Sequence, residues 1–138
     1  MLVGPCGSGS VTKLMNQIIV NLGIAALGEA LVFAKAAGVD PAKAVEAIRG
    51  GLAGSAVMEA KAPMMIGRNF KPGGKIAINH KDIKNVMDTA RDAGVPLPMS
   101  AQLLEVFQTM KVRGLYGEDH SALVKYFEAL AEITVGDE

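Results

Sequence analysis

Residues 10–38 read SVTKLMNQIIVNLGIAALGEALVFAKAAG, and this stretch decides the fold. From Ile18 to Ala34 only Asn21 and Glu29 are strongly polar, and no proline interrupts the run. Ala, Leu and Met at this density favour helix. Ser10 stands where an N-cap belongs, and Gly38 where a left-handed residue closes a helix. A helix from about Ser10 to Ala37 would be roughly 40 Å long. Being apolar on nearly every side, it is expected to be covered on most of its surface and to sit at the centre of the fold. Gly23 and Gly28 each cost about 1 kcal/mol relative to Ala, which implies close approach of another backbone. A membrane span needs roughly twenty apolar residues, so the length of the run and the carboxylate of Glu29 argue against one.

Outward from this helix, the rest of the chain also reads as helices. Asp40-Pro41 opens a second, with Ala44, Val45 and Ile48 on one face and Gly50-Gly51 as its stop. A third is expected around Val57 to Ile66, disturbed by Pro63, before a loop from Gly67 to Gly74. A fourth opens near Asn79 and carries Ile83, Val86, Met87 and Ala90 at helical spacing until Gly94-Val95-Pro96 breaks it. Met99 to Arg113 forms a fifth, and Asp119 caps a sixth that lasts to about Ile133. Only Lys75 to Ile78 alternates with period two, too briefly for a strand. The fold class is all-α: one domain over residues 1–138, a long central helix wrapped by about five shorter ones.

Composition narrows the function classes. Fourteen basic and fourteen acidic residues cancel, which gives no footprint for nucleic acid. The single cysteine, Cys6, excludes an internal disulfide and fits a reducing, cytoplasmic setting. No basic segment precedes an apolar one at the start, so no signal peptide is read. Asp119 and His120 lack a third ligand at useful spacing, so no metal site is expected. The methionines read as core filler.

Two clusters carry possible chemistry. Gly4-x-x-Gly7-x-Gly9 lacks the order of the dinucleotide fingerprint and follows no strand. Behind it comes a helix N-terminus, which favours an anion such as a small carboxylate. Lys13 sits in the first turn, where the macrodipole disfavours a cation. Asn16 and Gln17 lie one turn on, on the same side, and Asn21 continues the stripe. A lysine flanked by amides can give a proton to a carbonyl; a solvated first turn with ordinary polar residues is the plainer alternative. The second cluster is Asn79-His80-Lys81-Asp82, read at a helix start. There Lys81 would reach a phosphate, ribose or nicotinamide amide, and Asp82 would accept a hydrogen bond from a neighbouring lysine. A capping arrangement with a surface lysine is again the plainer alternative.

The spaced residues Gly4, Gly7, Gly9, Lys13, Asn16 and Gln17 resemble the lysine motif of the β-hydroxyacid dehydrogenases. Ala47 to Ser55, Lys61 to Met64 and Arg68 to Gly73 resemble the branch of that family that reduces tartronate semialdehyde. Lys81-Asp82 is similar to the family's Lys-Asp pair, and Asp119 to Leu123 to its closing helix. The resemblance implies the helical C-terminal domain of a 6-phosphogluconate dehydrogenase-like fold, without the N-terminal Rossmann domain that binds most of the cofactor. It implies hydride transfer between NAD or NADP and a small 3-oxo or 3-hydroxy acid. Lys13 would be the proton donor, Asn16 and Gln17 would hold substrate or lysine, and Lys81 and Asp82 would serve the cofactor side. It also implies a homo-oligomer, a dimer or, at full length, a tetramer. Several relatives carry an aromatic residue near Gly74, and this chain does not. Related 3-hydroxyisobutyrate enzymes, or a helical oligomerisation module without activity of its own, are the alternative readings.

Overall fold

A computed structural model describes residues 1–137. Six α-helices follow in order: α1 Ser8–Ala36, α2 Pro41–Ile48, α3 Ala56–Ile66, α4 Ile76–Ala93, α5 Pro98–Val112 and α6 Val124–Ala131. A 3-10 turn, His120–Leu123, leads into α6. Among the described residues there is no strand, only one isolated bridge between Lys75 and Asp119. α1 packs against every other helix and against the 3-10 turn. The expected all-α architecture around one long helix is what forms.

The core explains the arrangement. Ile24 and Leu31 of α1 meet Met65 of α3, Ile76 and Ile83 of α4, Phe107 and Met110 of α5, Leu123 of the 3-10 turn and Val124 of α6, all essentially removed from water. Each such side chain contributes about 1.5–3 kcal/mol of burial free energy. Gly28 is the point of closest approach. A methyl group placed there would stand 3.1 Å from the Val124 Cα, so α1 and α6 cross too tightly for a side chain. At Gly23 the nearest atom would be 3.7 Å away, an ordinary contact, so the tight crossing implied by two glycines belongs to one of them. Gly38 closes α1 at φ +79°, with the Val39 N–H bonded to the Ala34 carbonyl at 2.9 Å.

Three expectations are corrected here. Ser10 does not cap α1: the helix begins at Ser8, and its N-cap is Gly7, left-handed at φ 94° and without a side-chain bond. Ser8, Gly9 and Ser10 therefore enter the helix. α4 begins at Ile76 and not at Asn79, because tertiary bonds replace a side-chain cap. The Ile76 N–H bonds to the Glu118 carbonyl at 2.9 Å and the Ala77 N–H to the Tyr116 carbonyl at 3.0 Å. The sixth helical segment starts with the 3-10 turn that Asp119 caps and stops at Ala131, with Glu132 left-handed at φ 54°.

α1 is also not covered on most sides. Its buried residues begin only at Asn21 and include Ile24, Leu27, Gly28, Leu31 and Val32. Val11, Met15 and Ile19 recur four residues apart on the opposite side, and Phe33 falls in the same line; all four are more than half exposed. The sequence is apolar all round because the helix has two apolar faces, and this chain covers one. At 29 residues α1 is also long and apolar enough to cross a membrane, so run length does not argue against a span. Its packing against all the other helices, with Asn21 fully buried, is the stronger observation.

Two buried imidazoles make stability depend on pH. His80 is 1% exposed, shares a 2.8 Å hydrogen bond between its Nδ1 and the Tyr116 hydroxyl, and stacks on Phe107. Burial first, then the charges of Lys84 and Lys111, push its pKa down against the opposing pull of Glu105. Burial and Lys61 do the same to His120 against Asp119. The unfolded chain therefore binds protons first as pH falls. Stability is full above about pH 6.5, the ordinary imidazole value, and declines as pH drops from there through the folded values. Thermal denaturation should show a lower Tm at pH 5 than at pH 7.5; a flat profile over that range would contradict the burial of both rings.

Candidate functional site

The five residues singled out in the sequence lie on α1 and α4, and one hydrogen bond joins the two groups. The Gln17 side-chain amide donates to Asp82 Oδ2 at 2.6 Å, across 65 positions of sequence. Both side chains are half-buried where α1 packs on α4. Asn16 is exposed and its amide donates to Gln17 Oε1 over a long 3.4 Å. Asn21, one turn further, donates to the Gln17 carbonyl at 2.9 Å and leaves its own buried Oδ1 without a partner. Lys13 and Lys81 are exposed. Among the described residues neither enters an ion pair.

The structure changes two details of the sequence reading. Asp82 accepts from Gln17 and not from a lysine. Lys81 and Asp82 are the sixth and seventh residues of α4, so the charge preference of a helix start does not explain either. What selects them is their place beside α1. Helical spacing puts Lys13 one turn before Gln17 on the same face and Asn16 one residue before it, so both belong to the end of α1 that Asp82 touches. Concavities of about 600 Å³ beside Pro41 and Val135 and about 490 Å³ between α1 and the α2–α3 corner lie elsewhere. The residues form an open floor in which Gln17 bonds Asp82 and Asn16 bonds Gln17, with Lys13 and Lys81 exposed on the flanking turns.

Asp119 carries more than the sequence suggested. As expected it caps, accepting the Ser121 N–H at 2.9 Å. Its other oxygen accepts the N–H groups of Gly73 at 2.9 Å and Gly74 at 3.0 Å, and Lys61 Nζ stands 3.1 Å from the first. Burial alone would raise its pKa, but the amides of Gly74, Ser121 and Gly73 override it and hold the carboxyl well below the usual range. No local spacing advertises these bonds, which span more than forty residues. His80 packs structurally against Tyr116 and Phe107, and Met58 and Met65 are core. Among the described residues no three His, Cys, Asp or Glu side chains gather as metal ligands would.

Comparison with known proteins identifies the family and agrees with the fold. A family profile for the NAD-binding of NADP-dependent 3-hydroxyisobutyrate dehydrogenase matches residues 7–127. The 2-hydroxy-3-oxopropionate reductase of Escherichia coli (strain K12) is 43% identical over 130 residues, 94% of this chain and 44% of that protein. The 2-(hydroxymethyl)glutarate dehydrogenase of Eubacterium barkeri is 32% identical, over 96% of this chain and 44% of its own length. A crystal structure of 3-hydroxyisobutyrate dehydrogenase from Salmonella typhimurium superposes with a TM-score of 0.83 at 29% identity, covering 88% of this chain and 42% of the other. The chain belongs to the NAD-binding 3-hydroxyisobutyrate dehydrogenase family. It spans less than half the length of the relatives it matches.

The family cofactor is NAD or NADP, and the residues fit one end of it. Lys13, Lys81 and the amides of Asn16 and Gln17 suit a carbonyl or carboxamide oxygen and an anion. A methyl group at Gly7 or Gly9 would meet nothing within 4 Å, and at Gly4 it would strike only the Ser8 side chain, so the chain's own atoms do not crowd the loop before α1.

Proposed function

We propose that this chain is the acid–base, C-terminal half of an NAD(P)-dependent reductase of small 3-oxo acids. The favoured substrate is 2-hydroxy-3-oxopropionate, tartronate semialdehyde, which would be reduced to glycerate. The observation that carries the reading is the 2.6 Å bond from Gln17 to Asp82. It ties the turn bearing Lys13 and Asn16 to the turn bearing Lys81. A bound nicotinamide would supply the hydride for the carbonyl carbon. Lys13 Nζ gives its proton to the carbonyl oxygen and takes it back in the oxidative direction. Asn16 holds the substrate oxygen beside the lysine. Gln17 is oriented by Asp82, and Lys81 faces the cofactor. A dinucleotide-binding domain would close the open floor from above, and the isolated chain would not transfer hydride.

The exposed apolar face of α1 favours a second role for the same domain, as the surface through which a cytoplasmic homo-oligomer forms. Neutral net charge is compatible with such self-association. A 3-hydroxyisobutyrate-type substrate is the alternative for the chemistry. The test is a fusion carrying the dinucleotide-binding domain of a close relative ahead of Gly4. With tartronate semialdehyde it should oxidise NADH or NADPH. A folded fusion that binds cofactor and turns over no 3-oxo acid would leave only the oligomerising role.

A further inference from the structure

We propose that Asp119 is a positioning residue for the Lys81–Asp82 turn of α4, acting through the segment that enters that helix. The inference rests on the reading of Lys13, Gln17 and Asp82 as the reaction floor. Segments 70–77 and 116–121 are laced together along their length. The Asp119 N–H bonds to the Phe70 carbonyl at 3.0 Å and the His120 N–H to the Gly74 carbonyl at 2.7 Å, beside the two bonds that receive the Ile76 and Ala77 amides. The Asp119 carboxylate sits at the centre of this lacing. It is 0% exposed and gathers three backbone N–H groups and the Lys61 ammonium.

α4 has no side-chain cap of its own, since its N-cap Lys75 makes none. Its entry point is therefore set by these tertiary bonds. Asp82 follows about 9 Å along the same rigid helix, so a displacement of the entry is carried to the Gln17 contact. The identity of the residue matters. Two carboxylate oxygens accept from all four donors, whereas an asparagine would turn an N–H₂ group against amides that have nowhere else to donate. The packing is close enough to transmit the change, because a methyl group at Gly74 would stand 3.2 Å from the His120 ring.

The experiment is heteronuclear NMR of the 138-residue chain, following the Gln17 side-chain amide. Asp82→Ala marks where that resonance lies without its acceptor. In Asp119→Asn, Gln17 should move most of the way to that position, while the amides of Ile24, Leu27 and Leu31 keep their wild-type shifts. A Gln17 resonance that stays at its wild-type position, with changes only at Gly73, Gly74 and Ser121, would make Asp119 a local brace and overturn the proposal. Should Asp119→Asn not fold, Gly74→Ala gives the same reading with the carboxylate in place: movement of Gln17 supports the coupling, and an unmoved resonance removes it. The measurement requires no turnover. An inactive fusion would therefore sink the reductase reading alone, and an unmoved Gln17 in an active one would sink this proposal alone.

Discussion

In the fusion that restores turnover, Lys13→Ala should lower kcat by about 10²–10⁴-fold, the usual range for loss of a positioned general acid. The KM for the cofactor should stay close to its starting value, because Lys13 is assigned to the carbonyl oxygen and not to the dinucleotide. Stability should hardly change. The side chain is exposed, and among the described residues it makes no ion pair, so its removal uncovers no buried group. Steady-state kinetics beside a melting curve separates these effects. Wild-type turnover in the variant would end the assignment, and a large fall in Tm would mean that the lysine serves the fold.

Phe107→Ala should be the most damaging single truncation. Phe107 is 0% exposed, lies in the main cluster, and has the His80 ring stacked 5.8 Å from its own. Removing a buried phenyl ring typically costs about 3–5 kcal/mol, including the cavity it leaves. A domain of this size has roughly 5–15 kcal/mol in total, so about a fifth or more of the stability is at stake. Urea denaturation should show a lower midpoint at an unchanged slope. The loss should also loosen His80 and Tyr116, whose carbonyl receives the Ala77 amide at the start of α4. A change below about 1 kcal/mol would mean that the core repacks around the gap.

Much of this was legible in the sequence wherever local chemistry decides. Asp40-Pro41 opens α2, and the Asp40 carboxylate takes the Ala42 and Lys43 amides as the dipeptide suggests. Gly38 stops α1 because its φ is positive, and the stripe of Lys13, Asn16 and Gln17 was visible from helical spacing alone. What could not be read depends on distant partners. Ser10 looked like a cap, yet Gly7 turns the chain earlier. The start of α4 moved three residues toward the N-terminus because carbonyls at Tyr116 and Glu118 take its first amides. The apolar surround of α1 looked like burial because a sequence shows which residues avoid water, and not whether the same chain covers them. The partner of Asp82 required the crossing of α1 and α4.

The uneven burial of α1 has a mechanical consequence. From Asn21 onward the helix is enclosed by the core, and before that point it is held on one side only, through Leu14, Ile18 and Val20. Lys13 stands about 12 Å before Asn21, so its backbone is steered from that one side. The Gln17–Asp82 bond adds a polar tie to α4 about 6 Å, one turn of helix, from Lys13. Rigidity at the proposed proton donor is thus borrowed in part from α4, whose entry is held in turn by the chain that follows it.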